Sequence, residues 1–256
     1  MVLSLNTFEQ KAQVEPQRIV TAPEWQAGIK HLAVILDGNR RWAVRHGLPL
    51  IDGYRAGGKN VHALLDWCEQ AAISLVTVWP LSIENLGRPP AQVNDLLSVI
   101  ATVVRELADS GRWNLKIIGD LGALPSAVSE TIQEDEQRTH HVEGMRVNLA
   151  IAYSGRRELL RAMQELLIEH VTLGTVDQLI ASLNDKLISN HLYTAGQPDP
   201  DLVIRTSGEQ RLSNFMPWQT IFSEFYFTPV CWPEFTRYDF EQALDTYRDR
   251  HRRFGE

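Results

Sequence analysis

The chain has 256 residues, 44% of them hydrophobic and 22% charged, enough to bury a full core and ordinary for a globular protein. Its formal charge of −7, with no block of Lys and Arg, excludes general affinity for a nucleic-acid backbone. Cys68 and Cys231 are far apart in apolar surroundings, which excludes a disulfide framework and reads as buried thiols in a reducing cytoplasm.

Residues 1–28 form a polar leader without the basic start and unbroken apolar core of a secretory signal. No apolar run approaches the roughly 18 residues of a spanning helix, so no transmembrane segment and a cytoplasmic location are expected. The first strand is 31–36. Val61, Leu64, Leu65 and Cys68 follow the i, i+3, i+4, i+7 spacing of an amphipathic helix. A second strand covers 73–81. Pro89-Pro90 opens a helix with Val93, Leu96, Leu97, Ile100, Val104 and Leu107 as its apolar stripe. Next come a short strand at 115–118, a polar helix at 126–138, a strand at 147–153 and a helix at 156–169. The spacing predicts a further helix over 176–187, with Leu179, Ile180, Leu183 and Leu187 as its stripe. Strands at 202–204 and 221–227 and a helix from about 237 to 252 complete the chain. This alternation predicts an α/β fold, a single domain over 29–256 with a mostly parallel six-stranded sheet flanked by helices.

Ligands of open parallel sheets bind beyond the strands' C-terminal ends, so the polar residues just past each strand carry the functional reading. After the first strand comes Asp37-Gly38-Asn39-Arg40-Arg41. An acid there can hold a metal, while the next helix start and two guanidinium groups suit a phosphate or diphosphate. Asp37 reads equally as a plain helix N-cap. Arg205, Arg211 and Ser213, past the 202–204 strand, offer two forks and a hydroxyl to a second diphosphate; the alternative is an Arg205–Glu209 pair with Arg211 solvated. Ser82, Asn85 and Arg88 read either as a third binding segment or as a helix-capping loop. Glu224, in an aromatic run, must pair with an arginine or bind a metal. Trp42, Trp67, Trp79, Trp113, Trp218 and Phe222 read mainly as core, and His140-His141 as a solvated loop.

These clusters resemble the undecaprenyl diphosphate synthase family of cis-prenyltransferases, over about residues 31–255. The carriers are L-D-G-N-R-R-W-A at 36–43, S-I-E-N-L-G-R-P at 82–89 and D-L-V-I-R-T-S-G-E-Q-R-L-S-N-F at 201–215. W-Q-T-I-F-S-E-F-Y-F-T at 218–228, W-P-E-F at 232–235 and R-R-F-G at 252–255 continue it. L-Y-T-A-G-Q-P-D-P-D-L-V-I-R-T-S-G-E-Q-R-L-S at 192–213 is most similar to the short-chain actinobacterial (Z)-prenyl diphosphate synthases.

The resemblance implies an enzyme that condenses isopentenyl diphosphate with an allylic prenyl diphosphate, using Mg²⁺. Asp37 would be catalytic and would hold the metal, with Glu224 completing its shell. Gly38, Asn39, Arg40, Arg41, Trp42, Ser82 and Arg88 would bind substrate, and Asn85 would act near the departing proton. Arg205, Arg211 and Ser213 would seat isopentenyl diphosphate. Arg253 and Gly255 would reach the partner's site in a homodimer. Trp79 and Pro80 would wall the chain tunnel and limit products to C10–C20, with C15 favoured. Leu50, Tyr54 and Gln210 depart from long-chain members, which carry Arg, His and His there; Ile83 replaces Ser or Thr. Competing readings are irregular coupling of two allylic diphosphates, a non-catalytic subunit of a heteromeric cis-prenyltransferase, and an unrelated sugar- or nucleotide-phosphate binder.

Overall fold

A computed structural model describes residues 28–249 of the chain. Six strands, β1 (His31–Ile35), β2 (Leu75–Trp79), β3 (Asn114–Ile118), β4 (Arg146–Ala150), β5 (Leu202–Arg205) and β6 (Glu224–Phe227), form one sheet in the order β3-β4-β2-β1-β5-β6. Every neighbouring pair is parallel, so the sheet is wholly and not merely mostly parallel. Crossover helices cover both faces, which explains strands buried along their whole length and written as continuous apolar runs.

Helices α1 (Asn39–Arg45) and α2 (Leu50–Gln70) follow β1, and α3 (Pro90–Asp109) and α4 (Ser126–Gln137) flank β3. Val61, Leu64, Leu65 and Cys68 of α2 meet Leu96, Leu97, Ile100 and Val104 of α3 over Leu32, Val34, Val76 and Val78 of the sheet. This is the larger core. On the other face Ala33, Ile35, Trp79 and Val203 pack against Tyr153, Phe215 and Met216. α5 (Gly155–Leu173), α6 (Val176–Ser182), α7 (Asp185–Ser189) and α8 (Arg237–Asp249) complete the helices.

Two expectations about elements need correction. The helix predicted over 176–187 is two helices, because the Asn184 side chain accepts from the Leu187 N–H and caps a fresh start at Asp185. Of its supposed stripe only Leu179 is buried; Ile180 and Leu183 are exposed. The strand predicted over 221–227 begins only at Glu224, since Ile221 and Phe222 lie in an exposed turn. Both cysteines are buried free thiols, as expected.

β1 is central, and the chain crosses from it to β2 on one side and later to β5 on the other. Such a reversal leaves a crevice at the C-terminal ends of the two strands, and the functional residues gather there.

Candidate active site

A cleft of about 970 Å³ opens over the C-terminal ends of β1, β2 and β5. Its walls hold Arg40, Arg41, Arg45, Arg88, Arg205 and Arg211 against only Asp37, Glu84 and Glu209. An acidic protein therefore concentrates an excess of positive charge at one rim, as an anion site requires.

The floor is the turn after β1. Gly38 stands at φ +107° as the N-cap of α1 without a side-chain cap, so Asp37 is not the helix cap. A Cβ on Gly38 would lie 2.9 Å from the Cys231 and Ser207 side chains, a second reason for glycine. The Asp37 carbonyl accepts from the Thr206 hydroxyl (2.7 Å) and the Trp232 N–H (2.9 Å), which pins the turn to β5 and the Cys231–Trp232 segment. With its backbone fixed, the Asp37 carboxylate faces two cations: Arg41 at 3.3 Å and Arg205 at 3.0 Å.

Arg205 ends β5 and is buried. Besides Asp37 it donates to Ser213 Oγ (2.8 Å) and to the Arg211 carbonyl, and its Nε has no acceptor. Arg41 and Arg211 both pair with Glu209. The sequence alternative of an Arg205–Glu209 pair is thus not what forms: Arg205 takes Asp37, and Glu209 takes the two outer arginines. The loop holding them is strained, with Ser207, Ser213, Asn214 and Met216 all at positive φ.

Ser82 and Asn85 form the capping pair allowed by the sequence. The Asn85 N–H donates to Ser82 Oγ (3.3 Å) and the Ser82 N–H to Asn85 Oδ1 (3.4 Å). Both residues also line the cleft. Because Oδ1 is engaged by a backbone donor, the Asn85 amide has its NH₂ left for a ligand. Arg88 follows, half-buried and without an ion-pair partner among the described residues; burial first, then the Arg40 charge, pull its pKa below the ordinary value.

Behind the cleft lies a smaller apolar cavity of about 50 Å³, between α2, α3 and the sheet. Val99, Val103 and Gly58 bound it, residues outside the apolar stripes that the sequence singles out. Leu36, Asn39, Tyr54, Pro80 and Leu96 line both spaces and form the neck between them.

Three expected site residues lie elsewhere. Trp42 is absent from the cleft walls and packs at a tilt against His46, 4.6 Å between ring centroids. Trp79 reaches the outer cleft but not the apolar cavity: alternation puts it on the opposite face from Val78, stacked on Phe215 at 4.9 Å. Only Pro80 of that pair walls the neck. Glu224 starts β6 opposite Leu202, three residues and about 10 Å from the strand end level with Arg205. It does not join Asp37 within one chain. Arg253 and Gly255 fall outside the described residues.

No group of three His, Cys, Asp or Glu residues able to hold a metal occurs among the described residues. A carboxylate at the floor of an anion cleft nevertheless fits Mg²⁺, which is commonly held by one or two carboxylates together with substrate phosphates. Of the two carboxylates the sequence put forward, Asp37 lines this cleft and Glu224 does not.

Comparison with known proteins agrees with this geometry. The family model described as putative undecaprenyl diphosphate synthase matches residues 35–255. Isoprenyl transferase 1 of Streptomyces avermitilis is 47% identical over 227 residues, 88% of each chain. The (2Z,6E)-farnesyl diphosphate synthase of Thermobifida fusca is 46% identical, over 88% of this chain and 89% of that one. The short-chain Z-isoprenyl diphosphate synthase of Mycobacterium bovis is 44% identical, over 88% and 87%. Among solved structures, lavandulyl diphosphate synthase from Lavandula x intermedia, in complex with dimethylallyl diphosphate, superposes with a TM-score of 0.83 at 34% identity. The match covers 90% of this chain and 99% of that one. With an arginine-lined cleft at the switch point and relatives of this similarity along nearly the whole chain, the protein belongs to the undecaprenyl diphosphate synthase family and is a cis-prenyltransferase.

Proposed function

We propose that the enzyme condenses isopentenyl diphosphate with an allylic prenyl diphosphate to give a short-chain (Z)-prenyl diphosphate of C10–C20, C15 foremost. The observation that carries this reading is the join between a cationic cleft and a small apolar cavity through one neck. An allylic diphosphate has that polarity: two phosphates for the arginines and a hydrocarbon tail for the cavity. The actinobacterial relatives named for short-chain Z products support the length range.

The allylic diphosphate lies over the first turn of α1, whose N–H groups have no intrahelical partner, with Arg40, Arg41 and Arg88 around its phosphates. Asp37 would hold Mg²⁺, which would supply Lewis-acid stabilisation of the departing diphosphate. Cleavage of the allylic C–O bond releases the diphosphate and leaves a carbocation facing the neck. Fixed guanidinium groups lower that barrier, since they are already oriented when the negative charge develops. Isopentenyl diphosphate sits on Arg205, Arg211 and Ser213, which presents its double bond to the cation. The new C–C bond forms and one proton leaves for a diphosphate oxygen. The Asn85 NH₂ orients that acceptor; an amide whose oxygen already caps a turn takes no proton itself.

A homodimer completes this reading. Leu160, Leu167, Ile168 and Val171 form an apolar stripe along α5, each half exposed or more, a face that a second copy would cover. Among the described residues no helix is long and apolar enough to cross a membrane. Assay of the purified protein with isopentenyl diphosphate and dimethylallyl, geranyl or farnesyl diphosphate tests the reaction. Chain elongation by one isopentenyl unit at least is expected; a product made from two allylic diphosphates, with none from isopentenyl diphosphate, would establish irregular coupling instead.

A further inference from the structure

The loop that carries Arg211 and Ser213 has four residues at positive φ, and something must hold it there. Its inner end runs against the start of α5, so closely that a Cβ on Gly155 would overlap Pro217 Cδ and lie 2.8 Å from the Asn214 carbonyl oxygen. Asn214 makes the join. Its carbonyl accepts from the Gly155 N–H (3.0 Å), its Oδ1 accepts from the Arg156 N–H (2.9 Å), and its Nδ2 donates to Ser154 Oγ (2.7 Å). Ser154, the N-cap of α5, makes no side-chain cap bond of its own. The first N–H groups of a 19-residue helix are thus capped by a residue from a distant loop, where a cap is ordinarily local. The same Nδ2 lies 3.5 Å from Glu84 Oε1, beside Asn85. Asparagine suits the position on two counts: it tolerates the φ of +73°, and its amide offers an acceptor and a donor at once.

We infer that Asn214 is a positioning residue for isopentenyl diphosphate: by clipping the loop to the first turn of α5 it fixes Ser213, and through Ser213 the Arg205 guanidinium, in the geometry that the second diphosphate needs. The inference rests on the function proposed above, which seats isopentenyl diphosphate on this loop. Asn214 is not part of the cleft wall, whereas its neighbour Ser213 is, and Ser213 Oγ accepts from Arg205 at 2.8 Å. Asn214 therefore acts through these two residues without touching substrate. Released from α5, the loop has to be ordered when isopentenyl diphosphate binds, and that cost is subtracted from its affinity. The primer's phosphates rest on α1 and escape it.

The test is Asn214→Gly, which keeps the positive φ without strain and removes only the side-chain clip. Isopentenyl diphosphate is titrated by calorimetry into enzyme holding geranyl thiolodiphosphate, a primer analogue that ionises poorly, and steady-state kinetics are run on the same proteins. The expected result is a roughly tenfold weaker affinity and a matching rise in KM for isopentenyl diphosphate, with affinity for the analogue within about twofold of wild type. Asn214→Asp, whose carboxylate still accepts from the Arg156 N–H and can receive the Ser154 hydroxyl, should recover isopentenyl diphosphate affinity to within about threefold. Tm should fall by roughly 2–4 °C in Asn214→Gly, as for any lost cap, so it does not decide the matter. Unchanged isopentenyl diphosphate affinity in Asn214→Gly would overturn the inference and leave a helix cap; equal losses for both ligands, or an Asn214→Asp as weak as Asn214→Gly, would overturn it too. Should Asn214→Gly not fold, Ser154→Ala, which removes only the acceptor of Nδ2, takes its place: a twofold to fivefold rise in the same KM is expected, and no rise contradicts the inference. In all these outcomes an active wild type leaves the proposed reaction standing. A wild type that binds the analogue but neither binds isopentenyl diphosphate nor elongates any primer would overturn the reaction and this inference together.

Discussion

In the proposed mechanism Asp37 carries the heaviest chemical load of any single side chain, and its setting supports that role. Its backbone is tied to Thr206 and Trp232, and its carboxylate is shared between Arg41 and Arg205. Asp37→Ala should lower turnover by several orders of magnitude while the protein stays folded; excess chelator should do the same to the wild type, and full activity in either case would contradict a metal-assisted departure. Arg211 and Arg205 should separate in a second measurement. Arg211 is exposed and bound to Glu209, so Arg211→Ala should raise KM for isopentenyl diphosphate roughly tenfold to hundredfold with little change in Tm. Arg205 is buried and bridges Asp37 to Ser213, so Arg205→Ala should add a stability loss of roughly 1–3 kcal/mol in denaturant titration. An effect of Arg211→Ala on the allylic primer alone would reverse the two phosphate pockets. Most of this cluster is legible in the chain, because acids and arginines directly after apolar strands must collect at one rim. The pairing is not legible: no spacing rule tells that Arg205 takes Asp37 across 168 positions while Glu209 takes Arg41.

At the scale of elements, the proposed reading puts the limit on product length at the seam between α2 and α3. Gly58 of α2 approaches Val103 so closely that a Cβ would lie 2.7 Å from its Cγ2, and Val99 lies beside it. These residues and Pro80 bound the 50 Å³ cavity, so each further isoprene unit must displace packed side chains, at roughly 1–3 kcal/mol. Pro80→Ala and Val103→Ala should each shift the product distribution toward longer chains in mass spectrometry, most strongly together. Trp79→Ala should leave it nearly unchanged, since Trp79 packs on the other face. An unchanged distribution in the Pro80→Ala, Val103→Ala double variant would move the length limit elsewhere. The strand itself is readable as an apolar run, but a strand buried on both faces hides which residues look which way. That is why Trp79 and Pro80 read alike in sequence and separate in space. For the same reason Glu224 reads as a neighbour of Asp37 until the register of β6 puts it at the opposite end of the strands.

Across the whole molecule, the sheet is stapled below the active cleft by a buried polar network. His31 Nδ1–H donates to the Pro198 carbonyl (2.8 Å), which fixes the tautomer, so its Nε2 accepts from the Thr77 hydroxyl (2.7 Å), to which Asn148 donates in turn. Burial lowers the His31 pKa from 6.5 to about 4. The unfolded chain therefore binds the proton first as pH falls: the stabilisation is complete above about pH 6.5 and is lost progressively toward pH 4, by roughly 3 kcal/mol in all. Denaturant titrations between pH 7 and 4.5 should show this slope, and His31→Gln should flatten it; an equal slope in both would assign the loss to other groups. Class, sheet and single-domain organisation follow from the alternation of apolar runs and stripes, whereas the apolar stripe of α5 goes unremarked in sequence because an amphipathic helix looks the same whether it faces its own core or a second copy. The most direct measurement is mass spectrometry of the product formed by the unmodified enzyme from labelled isopentenyl diphosphate and an allylic primer with Mg²⁺. Short-chain cis-prenyl transfer predicts products of C10–C20 with a Z double bond in each newly added unit, C15 foremost; chains of C50 or longer, or no incorporation of isopentenyl label, would contradict it.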